Sequence, residues 1–171
     1  MFPSKLLINF DVRHIYQNQN KNNELNCWYA SAQMVLAFRS VIGMVINTSS
    51  NIDTLERYFR CEGIEEWEMQ KFAAEVGLNS IGATDIIKSQ DINGWEGALK
   101  KYGPLWIPIK KTQGNNSYNH IIVVRGATSD GLLIIDDPED LVATTTPANE
   151  LNSKVYWNLQ FLYKLGAGVA L

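Results

Sequence analysis

Asn119-His120-Ile121-Ile122-Val123-Val124-Arg125-Gly126 is followed by Ser129-Asp130-Gly131 and then Leu132-Leu133-Ile134-Ile135-Asp136-Asp137-Pro138. Two short runs rich in Ile, Leu and Val flank a Ser-Asp-Gly turn signal, so the stretch reads as two strands joined by a turn. A hairpin through Gly126 to Gly131 would set the start of the first strand beside the end of the second. His120 would then neighbour Asp136 and Asp137.

Working outward, Leu105-Trp106-Ile107-Pro108-Ile109 reads as a strand before this pair, and Val155 to Leu165, full of aromatics, as a last strand after it. Lys110 to Tyr118, with Gly and two Asn, reads as a loop that could gate a site. Toward the N-terminus the pattern becomes helical. Ala30, Met34, Ala37 and Phe38 fall on one face of a helix that starts near Asn26 or Cys27 and stops at Gly43, with Asn26 as N-cap. Asn51 to Arg60 and Glu65 to Val76 repeat the pattern, the latter with Gly77 as its stop. Asn93 to Tyr102 does so again before Gly103-Pro104. Ile8, Phe10 and Val12 alternate with polar residues, which fits an extended edge segment, and Gln17 to Asn23 is a polar loop. Helices first and an antiparallel sheet afterwards mean an α+β fold.

The chain has 171 residues and a formal charge of −3; 46 % of its residues are hydrophobic and 19 % charged. That is the composition of one packed globular domain spanning 1–171, able to fold without a disulfide or metal staple. The acidic balance lacks the basic footprint of a nucleic-acid binder, and no polybasic run suggests an anionic membrane. The longest apolar runs, Ile121 to Val124 and Leu132 to Ile135, fall far short of the about 20 residues a membrane span needs. The N-terminal segment has no long apolar core, so no secretory signal is read. The expected location is the cytoplasm of the producing cell, with any export through a dedicated secretion machine.

The candidate chemistry sits on few residues. The two cysteines, Cys27 and Cys61, permit at most one bridge. The two histidines, His14 and His120, lie at no zinc-ligand spacing from them or from each other, so no metal is expected. Cys27 stands in the first turn of the first helix, where unpaired N–H groups and the helix dipole favour a thiolate. The thiolate is the nucleophile; the competing reading is a small buried hydrophobe. His120 at the mouth of a strand could serve as base, and Asp136 or Asp137 could orient its ring. Together they supply the Cys-His-acid logic of acyl transfer. His14 reads as a surface or packing residue, Cys61 as a structural thiol, and Glu62, Glu65, Glu66 and Glu68 as a solvated acidic face.

Asn26-Cys27-Trp28-Tyr29-Ala30-Ser31-Ala32-Gln33-Met34-Val35-Leu36 resembles the nucleophile helix of papain-like cysteine peptidases, above all the bacterial AvrRpt2-type and C39-like group. Tyr102-Gly103-Pro104-Leu105-Trp106 is similar to that group's Gly-Pro-Leu-Trp strand start. The His120 β-run and the Asp-Gly turn before Asp136-Asp137-Pro138 are similar to its later signatures. The resemblance implies a papain-like fold, with a helical half carrying the nucleophile helix packed on an antiparallel sheet. It implies Cys27 as nucleophile, His120 as general base and then acid, and Asp137 as the orienting acid, with Asp136 as fallback. Gln17, ending Val12-Arg13-His14-Ile15-Tyr16-Gln17, fits the group's oxyanion-hole glutamine; Gln19 is the rival, and the Cys27 backbone N–H is the partner donor.

The implied activity is that of a cysteine peptidase working through a thioester, without metal or organic cofactor, on a protein or peptide substrate. The small size resembles secreted bacterial effector or toxin proteases, for which a cognate immunity or inhibitor protein is expected. Two alternatives keep the chemistry and change the substrate: a peptidoglycan amidase or endopeptidase, and a deamidase or transglutaminase-type acyl transferase. A catalytically inactive binding module is a fourth reading.

Overall fold

The computed structural model describes residues 5–15, 26–38 and 63–164. Among these, seven strands form one antiparallel sheet: β1 Leu6–Asn9, β2 Asn79–Gly82, β3 Leu105–Gln113, β4 Asn116–Thr128, β5 Leu132–Asp136, β6 Thr144–Pro147 and β7 Gln160–Tyr163. The spatial order is β2-β7-β3-β4-β5-β6, with β1 also pairing β4. The helices are α1 Cys27–Ala37, α2 Met69–Val76, α3 Ala83–Ile86, α4 Ile92–Tyr102 and α5 Ala148–Asn152, and a 3-10 turn, Glu66–Glu68, leads into α2. Helices preceding the main strands and a wholly antiparallel sheet make this an α+β fold, as expected. The expected helix over 51–60 lies outside the described residues.

The longest hairpin differs from the sequence reading. Lys110 to Tyr118 is no open loop: β3 and β4 stay paired from Leu105↔Val124 out to Gln113↔Asn116. Gly114, at a left-handed φ of 61°, makes the turn between them. The alternation of Thr112, Ser117 and their polar neighbours mimics loop composition because this end of the ribbon is exposed on both faces. The final aromatic segment is also shorter as a strand than expected, since only Gln160–Tyr163 pairs continuously and Val155 makes one isolated bridge to Ile109. Strands β2 and β6 and helices α3 and α5 were too short to announce themselves by periodicity.

Two features of β4 bear on the site. Its pairing with β5 runs Val123↔Asp136, Val124↔Ile135, then Gly126↔Ile134, a bulge that leaves Arg125 without a partner across the ladder. Beyond Val124, where pairing with β3 ends, β1 takes over the same edge of β4, with Asn9 opposite Gly126. The approach there is close: a Cβ at Gly126 would lie 2.7 Å from the Ile8 carbonyl oxygen and 2.8 Å from Ile134 Cδ1.

The core lies between the sheet and α1, α2 and α4. Trp95, Trp106, Phe161, Met34 and Leu99 are all fully buried there. Helix α1 is almost wholly buried and is tied to the sheet by two hydrogen bonds. Trp106 Nε1 donates to the Trp28 carbonyl at 2.9 Å, and Ser31 Oγ donates to the Ile121 carbonyl at 3.2 Å. Trp28 then packs edge-on against Phe72 of α2, with ring centroids 4.9 Å apart. No described helix is long and apolar enough to cross a membrane.

Candidate active site

Cys27 opens α1. Asn26 precedes it at the N-cap position, but its side chain makes no cap hydrogen bond; its carbonyl accepts from the N–H groups of Tyr29 and Ala30 instead. The thiol of Cys27 is free and buried at 7 % exposure. Cys61 lies outside the described residues. Because Trp28 and Ser31 of the same first turns bond to β3 and β4, the start of α1 is fixed against the strand that carries His120.

His120 is 1 % exposed. Its Nε2 lies 2.7 Å from Asp137 Oδ1, and its ring also meets the Cys27 thiol. Burial disfavours the imidazolium, but the Asp137 hydrogen bond, with the hydrogen bond to and charge of Cys27, outweighs it and pushes the His120 pKa up to about 9. Burial likewise pushes the Asp137 carboxyl up. The hydrogen bond and charge of His120, then the Lys111 ammonium and the Glu139 N–H, overcome this and hold it down at about 2. An ionised Asp137 can only accept, so Nε2 carries the proton of that bond and Nδ1 is the nitrogen left for the thiol.

Asp136, the neighbouring acid, is engaged elsewhere. Cross-strand partners share a face, and Asp136 is opposite Val123, whereas the next position shares the face of Ile122 and His120. Asp136 meets Arg125 Nε at 2.7 Å and His14 Nδ1 at 2.9 Å. His14 Nε2 also donates to the Asp140 carbonyl at 2.8 Å. His14 is therefore a tether between the N-terminal segment and the loop after β5. Gln17 and Gln19 lie outside the described residues.

Three further polar side chains surround the His120–Asp137 pair, and sequence reading singled out none of them. Lys111 Nζ donates to Asp137 Oδ2 and to Glu139 Oε2, both at 2.6 Å. Tyr118 OH donates to the same Glu139 oxygen at 2.9 Å, and the Tyr118 ring stands edge-on to the His120 ring. The only available signal was the period-2 spacing Ile109, Lys111 against Tyr118, His120, which is hidden until the hairpin register is known. The ligand atoms of His120, Asp137 and Glu139 lie within 4.8 Å of one another, close enough to hold a metal ion. The Lys111 ammonium already supplies the cation between the two carboxylates. Of the acidic group at 62–68, Glu68 is buried and completes a capping box with Glu65 rather than standing in solvent.

Cys27 and His120 line one cleft of about 540 Å³. Trp28, Met69 and Leu159 give it apolar walls, and Asn119 and Tyr156 polar ones. A thiol at a helix start and a buried imidazole on one cleft, with an ionised carboxylate bonded to the far nitrogen of the ring, are the equipment of a cysteine-type hydrolase. Residues 6–155 match the family model described as papain-like cysteine protease AvrRpt2, so the chain belongs to that family and is a cysteine-type peptidase acting on protein. No curated protein matches the chain.

Proposed function

We propose that Cys27, His120 and Asp137 form a catalytic triad, within a single papain-like domain, that cleaves peptide bonds through a thioester. The observation that carries this reading is the His120 ring, set between the Cys27 thiol and the Asp137 carboxylate at the cleft. The Cys27 thiolate attacks the scissile carbonyl carbon while its proton resides on His120 Nδ1. The carbonyl π electrons move to oxygen, where the Cys27 backbone N–H and a glutamine side-chain N–H stabilise the oxyanion. Gln17, with Gln19 as its rival, is the proposed glutamine; the tether of His14 to Asp136 and Asp140 supports a donor from this segment. The C–N bond then breaks as the imidazolium gives its proton to the leaving amine. Water, losing a proton to His120, attacks the thioester; the acid product leaves and the thiol is restored. Asp137 holds the imidazole in the tautomer these steps need. No cofactor enters the scheme.

The biological reading is an exported bacterial effector or toxin protease with one protein target, supported by the family to which the chain belongs. A cognate immunity protein would then cover this cleft. Cys27→Ala and His120→Ala should each abolish cleavage of a proteome-derived peptide library followed by mass spectrometry. Asp137→Ala should keep residual activity, down by about 10²–10⁴. Cleavage undiminished in Cys27→Ala would overturn the triad. A mass change without chain scission would instead mark deamidation or acyl transfer, and release of muropeptides from sacculi would mark a cell-wall substrate.

A further inference from the structure

His120 faces two carboxylates. Asp137 Oδ1 is at 2.7 Å from Nε2, and Glu139 Oε1 is at 3.7 Å from Nδ1, the nitrogen that must serve the thiol. A carboxylate that close to Nδ1 is a competitor: by taking its N–H it would draw the imidazole away from Cys27. What holds Glu139 back is on the same face of the β3–β4 ribbon. Ile109 is opposite His120 and Lys111 is opposite Tyr118, two positions along, so all four side chains share one side of the sheet. Lys111 bridges Asp137 Oδ2 and Glu139 Oε2, and Tyr118 OH takes a second bond to that Glu139 oxygen. The Glu139 N–H in turn donates to Asp137 Oδ1 at 2.9 Å. The loop after β5 is thus clamped to the hairpin at two carboxylates with one ammonium between them.

We infer that Lys111 and Tyr118 are positioning residues for the peptidase reaction: they restrain Glu139 from His120 Nδ1 while Lys111, bonded to Asp137 Oδ2, keeps Oδ1 aimed at Nε2. This rests on the triad reading. Without Lys111, two carboxylates would crowd the ring with only the imidazolium itself to balance them. Glu139 would then be free to swing onto Nδ1. Glutamine at position 139 removes the surplus charge, so the defect should be relieved by a second substitution rather than deepened. Arginine at position 111 keeps both the charge and the bridge.

The test reads the rate of Cys27 alkylation by iodoacetamide at neutral pH, which needs no identified substrate. Lys111→Met should slow labelling by about tenfold to a hundredfold, the range of coupled groups in one polar network. Tyr118→Phe should slow it severalfold, and Lys111→Arg should stay near the parent rate. Lys111→Met/Glu139→Gln should recover most of the loss, and its thermal midpoint shows that the fold survives. Labelling at the parent rate in both Lys111→Met and Tyr118→Phe would overturn the inference, as would a double variant slower than Lys111→Met alone. Those outcomes are separate from failure of the triad itself, in which His120→Ala would label as fast as the parent.

Discussion

The two neighbouring aspartates at the end of β5 have separate jobs because one side chain faces each side of the sheet. Asp136 secures Arg125 and His14, and both of its partners are largely buried. Asp136→Ala should therefore destabilise the fold, by about 1–3 kcal/mol, because Arg125 Nε and His14 Nδ1 lose their carboxylate while Arg125 Nη1 keeps its bonds to Asn9 Oδ1 and the Phe10 carbonyl; urea unfolding measures this. Asp137→Asn should reduce turnover as well as stability, because it removes the charge that His120, Lys111 and the Glu139 N–H hold. His120 also predicts a pH dependence. Its pKa is raised in the folded state from 6.5 to about 9, so its stabilising contribution is complete below about pH 6.5. That contribution is lost as pH rises through about 9. The thermal midpoint should fall over this window, and Cys27→Ala should shrink the fall by removing one of the causes of the shift. Turnover that needs the imidazolium should fade over the same range. Asp137 works in the opposite sense: its contribution is present above about pH 4 and disappears as pH falls toward 2.

Among the elements, β4 does the most to assemble the site. It carries His120 and Tyr118, pairs with β3, β5 and β1, and receives the Ser31 hydrogen bond from α1. Its bulge at Arg125 sets which aspartate faces His120, since a one-residue slip would exchange the faces of Asp136 and Asp137. Close to that bulge, Gly126 lets β1 approach. Gly126→Ala places a methyl within 3 Å of the Ile8 carbonyl and of Ile134 Cδ1, and backbone on one side leaves it no simple escape. Overpacking of this kind should cost about 1–3 kcal/mol. Hydrogen exchange should show the loss first in the amides of β1.

For the molecule as a whole, the contact between sheet and helix decides whether Cys27 meets His120. Trp106 is fully buried and joins the two layers, packing toward Phe72 and donating to the Trp28 carbonyl. Trp106→Ala should remove about 3–5 kcal/mol of stability. Trp106→Phe keeps most of the ring volume but drops the bond to α1. It should slow Cys27 alkylation more than its modest effect on the thermal midpoint would suggest. Equal, small effects on both would mean that α1 is held without this bond.

Much of the chain's organisation was open to reading from local pattern. Helical spacing marked α1, α2 and α4; branched apolar runs and the Ser-Asp-Gly turn marked β4 and β5; Gly77, at a left-handed φ of 77°, stops α2 as a C-terminal glycine should. Cys27 and His120 stood out as chemistry-bearing residues because each has a distinctive residue type at an element's edge. Local pattern left other matters undecided. The true length of the β3–β4 hairpin was hidden because a ribbon exposed on both faces has the composition of a loop. The choice between Asp136 and Asp137 turned on a bulge, and bulges depend on pairing between distant strands. The places of Lys111, Tyr118, Glu139 and His14 around the site emerge only from that register. The sequence by itself determined that α1, α2 and α4 are helices and that β4 and β5 are strands, since periodicity is a property of neighbours along the chain. Which charges face which was decided by tertiary structure alone, because sheet register and side-chain facing are properties of neighbours in space.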